Sequence, residues 1–390
     1  MSTAFLRPCT LLALMLLAAP LSAATSPSET LSAEKMWSLT RLGETALSPD
    51  GSIAVVTVTR FDIEKDRSAT DLWWVPVTGD AARRPSARPL TSDPAAETAP
   101  AFSPDGRWIA FVSKRDDDEA AQIYVIPVDG GEAKRVTNVP TGADAPRWFP
   151  DSRRIAFVSA IWTDLVRWKD QEERRDSRKK SKMTAKVWDR APIADWDRYL
   201  DDREPHLFII DIDGGEPQAV TRSSGFHLSK SEYSSDSYSI SPDGEEIAFE
   251  SNVDQRGTAP NYDVIVIPSC GCKPARNITA VNPADDGAPA YSPDGRWLAF
   301  ASQSIPGFYA DRRRLQLLER STGRVQDLSG GFDRSVGALR WRADSKALYS
   351  AIDDAATNRI YRFDIASPGQ PRRITDRSSF GESVRGGRDS

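Results

Sequence analysis

Histidine is almost missing from this 390-residue chain: His206 and His227 are the only two. That scarcity weighs against a self-sufficient enzyme built on imidazole bases or imidazole metal ligands. His206 stands just before the apolar run Leu207–Ile210 and reads as a structural residue where a strand begins. His227 has no recognisable partner in the sequence and takes the same reading. No Gly-X-Ser-X-Gly elbow occurs, so the strained turn that usually presents a serine nucleophile is missing. Gly-X-Gly-X-X-Gly, phosphate-loop and His-Glu-X-X-His patterns are absent as well. The expectation is a chain with no catalytic residue, no cofactor and no metal of its own.

Cysteine is nearly as scarce. Of three, Cys9 falls in an N-terminal apolar stretch and the others form Cys270-Gly271-Cys272. No second pair of thiols or imidazoles completes a metal-ligand set around them, which leaves a plain turn, oxidised or not, or redox chemistry. Long hydrophobic runs are confined to Leu11–Leu21, preceded by Arg7 and followed by the small residues Ser22-Ala23-Ala24. That pattern reads as a cleaved signal peptide over residues 1–24 and a mature protein that is periplasmic or secreted. The stretch is short for a membrane span, and none later approaches the required length, so no membrane insertion is expected after cleavage. Because Cys9 precedes the cleavage site, a lipid-modified N-terminal cysteine is not expected.

Positive charge is not in excess either. The net charge is −5, which disfavours a nucleic-acid partner. The one basic run, Arg174 to Lys182, reads as a solvated insertion, and Asp116-Asp117-Asp118-Glu119 lacks the alternation and glycine of a calcium loop and reads as a solvated loop.

What the chain has in quantity is punctuation, with 27 prolines and 24 glycines. Ser-Pro-Asp-Gly begins at Ser48, Ser103, Ser241 and Ser292. Each copy precedes an apolar run, and degenerate copies at Phe149–Ser152 and Arg342–Ser345 complete the series. Proline presets φ, aspartate bonds its own backbone and glycine accepts positive φ, so each copy encodes a tight turn before a strand. Starts are separated by 55, 46, 92, 51 and 50 residues, the length of a four-stranded propeller blade with one unit carrying an insertion. Trp108–Val112 is apolar on both faces, as a strand sandwiched between blades must be. Then follow Gln122–Val128, the turn Asp129-Gly130-Gly131-Glu132, and a strand whose Lys134 and Arg135 suit an outer edge. Leu207–Thr221 repeats this grammar. The fold expected is an all-β propeller over residues 47–376, with a lead-in at 25–46, an insertion at about 160–205 and the start of a further blade at 377–390.

The insertion interleaves aromatics with charges, in Val187-Trp188-Asp189-Arg190 and Ala194-Asp195-Trp196-Asp197. Such an excursion must project from a rim, where propellers bind ligands. Its tryptophans serve either as the packed feet of the insertion or in contact with a substrate or a neighbouring domain. On the second reading the substrate-binding candidates are Trp188, Asp189, Trp196 and Asp197.

Leu47–Gly51, Phe111–Arg115 with Glu119–Tyr124, and Trp188-Asp189-Arg190 through Trp196-Asp197 to His206-Leu207-Phe208 carry a family resemblance. Over about residues 35–376 the chain resembles the N-terminal propeller of S9 (prolyl oligopeptidase family) serine peptidases, of the acylaminoacyl-peptidase and dipeptidyl-peptidase 5 type. The resemblance implies seven blades, of which six are recognisable, and a following α/β-hydrolase domain that holds the catalytic triad. It implies a propeller that gates access for short peptides and helps to hold a free amine through acidic residues. Ala194 and Asp195 stand where those relatives carry arginine and histidine, so only Trp196 and Asp197 carry over. The chain then reads as a truncated or split product, inactive by itself, whose partners are peptides and a separate or downstream hydrolase domain. The alternative is a stand-alone TolB-like periplasmic propeller that binds a protein, although the repeats begin by Leu47 and leave no room for the α/β domain such chains place first.

Overall fold

The computed structural model describes residues 30–77, 85–185, 187–188, 193–254 and 258–375. The leader expected over 1–24 and the further blade expected to start at 377–390 lie outside the described residues. After a short helix, α1 (Ala33–Ser38), six four-stranded antiparallel sheets follow one another. The first holds β1 (Arg41–Leu47), β2 (Ile53–Asp62), β3 (Arg67–Pro76) and β4 (Arg88–Pro89). The second holds β5 (Glu97–Phe102), β6 (Trp108–Ser113), β7 (Gln122–Pro127) and β8 (Lys134–Arg135). In the third, β9 (Asp144–Trp148) and β10 (Arg154–Ile161) are separated in sequence from β13 (Glu204–Asp211) and β14 (Gln218–Ala219). Between them lie helix α2 (Trp168–Lys180) and the small ladder β11 (Ala194–Asp195) with β12 (Arg198–Tyr199). The fourth sheet runs β15 (Tyr238–Ile240), β16 (Glu246–Asn252), β17 (Tyr262–Pro268) and β18 (Arg276–Asn277). The fifth runs β19 (Asp286–Tyr291), β20 (Trp297–Ser302), β21 (Arg314–Glu319) and β22 (Val325–Asp327). The sixth runs β23 (Leu339–Trp341), β24 (Ala347–Asp354), β25 (Thr357–Asp364) and β26 (Arg372–Arg373). This is a six-bladed all-β propeller.

Each Ser-Pro-Asp-Gly turn is built the same way. In the second blade Ser103 Oγ donates to Asp105 Oδ1 at 2.6 Å and accepts the Trp108 N–H at 2.9 Å, while Gly106 takes φ +72°. The hydroxyls of Ser48, Ser241 and Ser292 repeat both bonds. In the two degenerate copies a serine occupies the glycine position at positive φ, Ser152 at +56° and Ser345 at +60°. Each uses its hydroxyl to accept the N–H of the preceding blade's turn aspartate, Asp105 or Asp294, at 3.0 Å. The lost glycine is thereby exchanged for an interblade bond.

A second repeated device closes the outer edge. Thr91, Thr137, Thr221, Thr279, Ser329 and Thr375 each accept, on the side-chain oxygen, the N–H of Leu72, Ile123, Leu207, Val264, Leu315 and Ile360 respectively. Distances run from 2.8 Å for Thr137 to 3.1 Å for Ser329 and Thr375.

Apolar clusters join successive blades. Val55 and Leu72 meet Phe111 and Tyr124, Val125 meets Phe157 and Phe208, and Leu207 meets Tyr238 and Phe249. Val266 then meets Leu298 and Phe300, and Leu317 meets Leu348 and Phe363. Five clusters therefore hold six blades in series, and among the described residues none joins the sixth to the first. The faces at that seam carry Val56, Trp73 and Val75 on one side and Tyr349, Ala351 and Ile360 on the other, all partly exposed. The Trp73 indole N–H is buried there with no acceptor among the described residues.

Removal of the Ser103 hydroxyl leaves the partly buried Trp108 N–H without its side-chain acceptor. Ser103→Ala is expected to lower stability by about 1–3 kcal/mol in urea unfolding. A midpoint unchanged from the parent would show that the turn does not depend on this bond.

Candidate functional site

Strand direction divides the molecule into two faces. Every first strand ends at a Ser-Pro-Asp-Gly-type turn, so those turns and the hairpins joining third to fourth strands share one face. The loops joining second to third strands and the connections between blades share the other, and the insertion at residues 162–203 therefore lies on this connection face. Long, variable loops on a rigid scaffold are where binding chemistry accumulates.

At this face three first strands contain a bulge made by alanine before proline. Ala99, Ala145 and Ala288 take φ of +50°, +52° and +51°, with a register shift in each ladder. Their turned-out N–H groups meet carboxylates. Glu44 accepts from Ala99 at 2.5 Å and Glu250 from Ala288 at 3.1 Å, each from the preceding blade, while Asp144 accepts from its own neighbour Ala145 at 2.6 Å. Acidic groups are thereby fixed around the channel mouth. Burial pushes the Glu250 carboxyl above its ordinary range.

Asp144, Glu232 and Glu250 line a cavity of about 620 Å³ together with Lys230 and Tyr233. Its outer wall is Tyr199 and Leu200, supplied by the insertion. Deeper in the channel, a second cavity of about 390 Å³ is lined chiefly by first-strand residues of the second to sixth blades, with Ser235 and Asp236 from the short helical turn just before β15. Two arginines share one carboxylate there: Arg340 Nη2 lies 2.6 Å from Asp236 Oδ2, and Arg147 Nη2 lies 3.3 Å from Asp236 Oδ1. The third, fourth and sixth blades are tied together through this triad. The tryptophans that follow these arginines donate to the preceding blade, Trp148 to the Ala101 carbonyl and Trp341 to the Ala290 carbonyl, both at 2.9 Å.

The two histidines meet in a smaller cavity of about 260 Å³, their ring centroids 6.1 Å apart. His206 is buried, with Nδ1 3.0 Å from Thr221 Oγ1 and Nε2 3.7 Å from Glu204. Burial lowers its pKa, and the neighbouring imidazole holds Glu204 below the usual carboxylate range. Thr221 is the third blade's member of the repeated hydroxyl series, and Gln122 bonds Thr137 from the matching position in the second blade. His206 therefore fills a position in the blade scaffold. His227, which lacks a recognisable partner in the sequence, pairs through Nδ1 with the Leu228 carbonyl at 2.7 Å.

Of the substrate-binding candidates, Trp188 is half-buried: its Nε1 donates to the Leu200 carbonyl at 2.9 Å and its ring lies 5.4 Å from that of Tyr199. It supports the cavity wall from behind. Trp196 is 98% exposed at φ +49° in the turn between β11 and β12, and Asp197 beside it is exposed too. The reading of Trp196 as a packed foot is therefore corrected, because this ring packs on nothing among the described residues. Asp189 lies outside the described residues. The basic run falls on α2 and is largely paired, Arg178 to Asp202 and Lys179 to Glu119. The acidic run is not uniformly solvated, since Asp118 is buried and accepts from Tyr124 Oη and Arg135 Nη1, each at 2.7 Å. Among the described residues no group of three or more metal-ligating side chains forms, and no helix is long and apolar enough to cross a membrane.

Residues 67–172 match the tricorn protease N-terminal beta propeller domain. The chain aligns with dipeptidyl-peptidase 5 of Porphyromonas gingivalis at 27% identity over 374 residues, 91% of this chain and 50% of that protein. Over the propeller it is homologous to dipeptidyl-peptidase 5. A probable dipeptidyl-peptidase 5 of Aspergillus flavus matches at 25% identity over 221 residues, 50% of this chain and 30% of that protein. Acylaminoacyl peptidase of Pyrococcus horikoshii shares the fold, with a TM-score of 0.61 over 87% of this chain and 46% of that chain at 16% identity. The chain thus spans about half the length of the bacterial dipeptidyl-peptidase 5, and less of the fungal one.

Asp236→Asn removes the only anion of the triad and leaves two guanidinium groups facing each other. A loss of about 1–2 kcal/mol is expected, partly restored by adding Arg340→Met, as read by a double-mutant cycle. A second test concerns Asp286, buried where β19 begins and raised from an ordinary 3.8 to about 6, chiefly by burial. The folded chain holds this proton more tightly than the unfolded one, so the contribution is full below about pH 4 and lost as pH rises through 6. Relative to the parent, Asp286→Asn should gain up to about 3 kcal/mol between pH 4 and pH 7. A stability difference that does not change with pH would refute the assignment.

Proposed function

We propose that this chain is the substrate-gating propeller of an exported S9-type serine peptidase, and that it does not hydrolyse peptides by itself. The observation that carries the reading is the alignment with dipeptidyl-peptidase 5 along 91% of the chain. The acidic mouth supports it. Asp144, Glu232 and Glu250 offer carboxylates in a partly desolvated cavity, where a protonated peptide amine finds charge-assisted acceptors. In this reading Trp196 and Asp197, on the exposed turn beside the cavity wall, reach toward the substrate or toward the hydrolase domain that supplies the nucleophile. The triad behind the cavity narrows the channel, so that short peptides are admitted and folded proteins are not.

The test is direct. The purified chain should show no turnover of a dipeptide p-nitroanilide. It should bind a free-amine dipeptide in calorimetry and not the N-acetylated analogue, and Glu250→Gln should weaken binding about tenfold or more. Serine-directed turnover, or equal affinity for the acetylated peptide, would contradict the proposal.

A further inference from the structure

The hairpin between β17 and β18 carries a feature that the peptidase reading leaves unused. Cys270 and Cys272 form a disulfide across a single residue, and Cys270, Gly271 and Cys272 are all exposed. The other blades show what this hairpin requires. Asp129-Gly130 and Asp213-Gly214 close it with glycine N–H groups donating to the Pro127 and Asp211 carbonyls at 3.0 and 2.9 Å. Gly271 makes the same bond to the Pro268 carbonyl at 2.9 Å. The turn is complete without sulfur. A bridge that spans one residue also closes almost no loop, so it constrains the unfolded chain little.

The turn is held on its neighbour. Gln218 Nε2 of the third blade donates to the Cys270 carbonyl at 2.6 Å, and a Cβ on Gly271 would lie 2.8 Å from the Ala219 carbonyl. This backing fixes the backbone of a turn whose two cysteines are exposed. The Cys272 N–H donates to Cys270 Sγ at 3.2 Å, and such a donor stabilises a thiolate on that sulfur.

We infer that Cys270–Cys272 is a thiol–disulfide exchange site that accepts two electrons from a dithiol. A donor thiolate attacks Cys272 Sγ, the Sγ–Sγ bond breaks, and the electron pair leaves on Cys270 Sγ beside the Cys272 N–H. The donor's second thiolate then attacks the donor sulfur of the mixed disulfide. The donor departs as its disulfide, and the two protons it loses reside on Cys270 and Cys272. Cys270 is the better leaving group because its thiolate is hydrogen-bonded.

The test is to equilibrate the intact folded chain with glutathione redox buffers, and separately with dithiothreitol, and to map alkylated cysteines by peptide mass. Both residues are expected to become alkylated with the circular dichroism unchanged, and a quenched glutathione adduct is expected on Cys272. Reduction only when the fold is lost would overturn the proposal, and an adduct on Cys270 would overturn the assignment of the leaving sulfur. The Cys270→Ser, Cys272→Ser double variant should fold with unchanged circular dichroism and consume no dithiothreitol. Failure of that variant to fold would mean that the bridge is structural, and undiminished consumption would place the chemistry elsewhere; either outcome sinks the proposal.

Discussion

Burial between neighbouring blades is the interaction on which the rest depends. A four-stranded sheet with both faces apolar has no stable existence alone, and each blade here obtains its burial from the next one. Ala110 and Val112 face the third blade while Ile109 and Phe111 face the first, so a single strand serves two interfaces through its period of two. Full burial of one such side chain is worth about 1.5–3 kcal/mol. The stability of the array is then a sum of nearest-neighbour terms, as in other repeat folds. The terminal blades each have one partner among the described residues. The half-covered faces of Trp73 and Ile360 are the direct consequence.

Repetition also explains which polar groups are scaffold and which are free for chemistry. A hydroxyl that recurs in six blades at the same hydrogen bond is fixed by the strand it closes, and its partner inherits that role. His206 belongs to this class because it bonds Thr221 as Gln122 bonds Thr137. Glu250 and Asp144 differ in kind, because their carboxylates face a cavity while holding a strained alanine N–H. A group that departs from the repeat is the better functional candidate, and the inner channel and connection face are where departures collect.

Much of the architecture was legible because tight turns have few chemical solutions. Ser-Pro-Asp-Gly marks four blades and its degenerate copies mark the other two, so blade number followed from residue identity. The interblade role of the degenerate copies was less visible. Arg147-Trp148 and Arg340-Trp341 stand at matching distances before Ser152 and Ser345, yet only three dimensions bring both arginines to Asp236, 104 residues from Arg340 in sequence. The acidic mouth was illegible for the same reason: Asp144 and Glu250 belong to different blades and meet only when the third and fourth blades pack side by side. Asp118 was misread within an acidic run because its partners, Tyr124 and Arg135, lie on two later strands.

The same geometry decides which face can evolve. On the turn face, Ser103, Asp105 and Gly106 all have bonds or dihedral angles that admit few substitutes, and Ser152 reaches back to the preceding blade's turn. An inserted residue there disrupts two blades at once. On the connection face the chain between β10 and β13 extends from residue 162 to 203 while the pairing of Ile155 with Ile210 and of Phe157 with Phe208 stays in register. Loop length on that side costs little, since closure entropy grows only logarithmically. Specificity can therefore change by lengthening a loop over the channel mouth without touching the five clusters that hold the blades together.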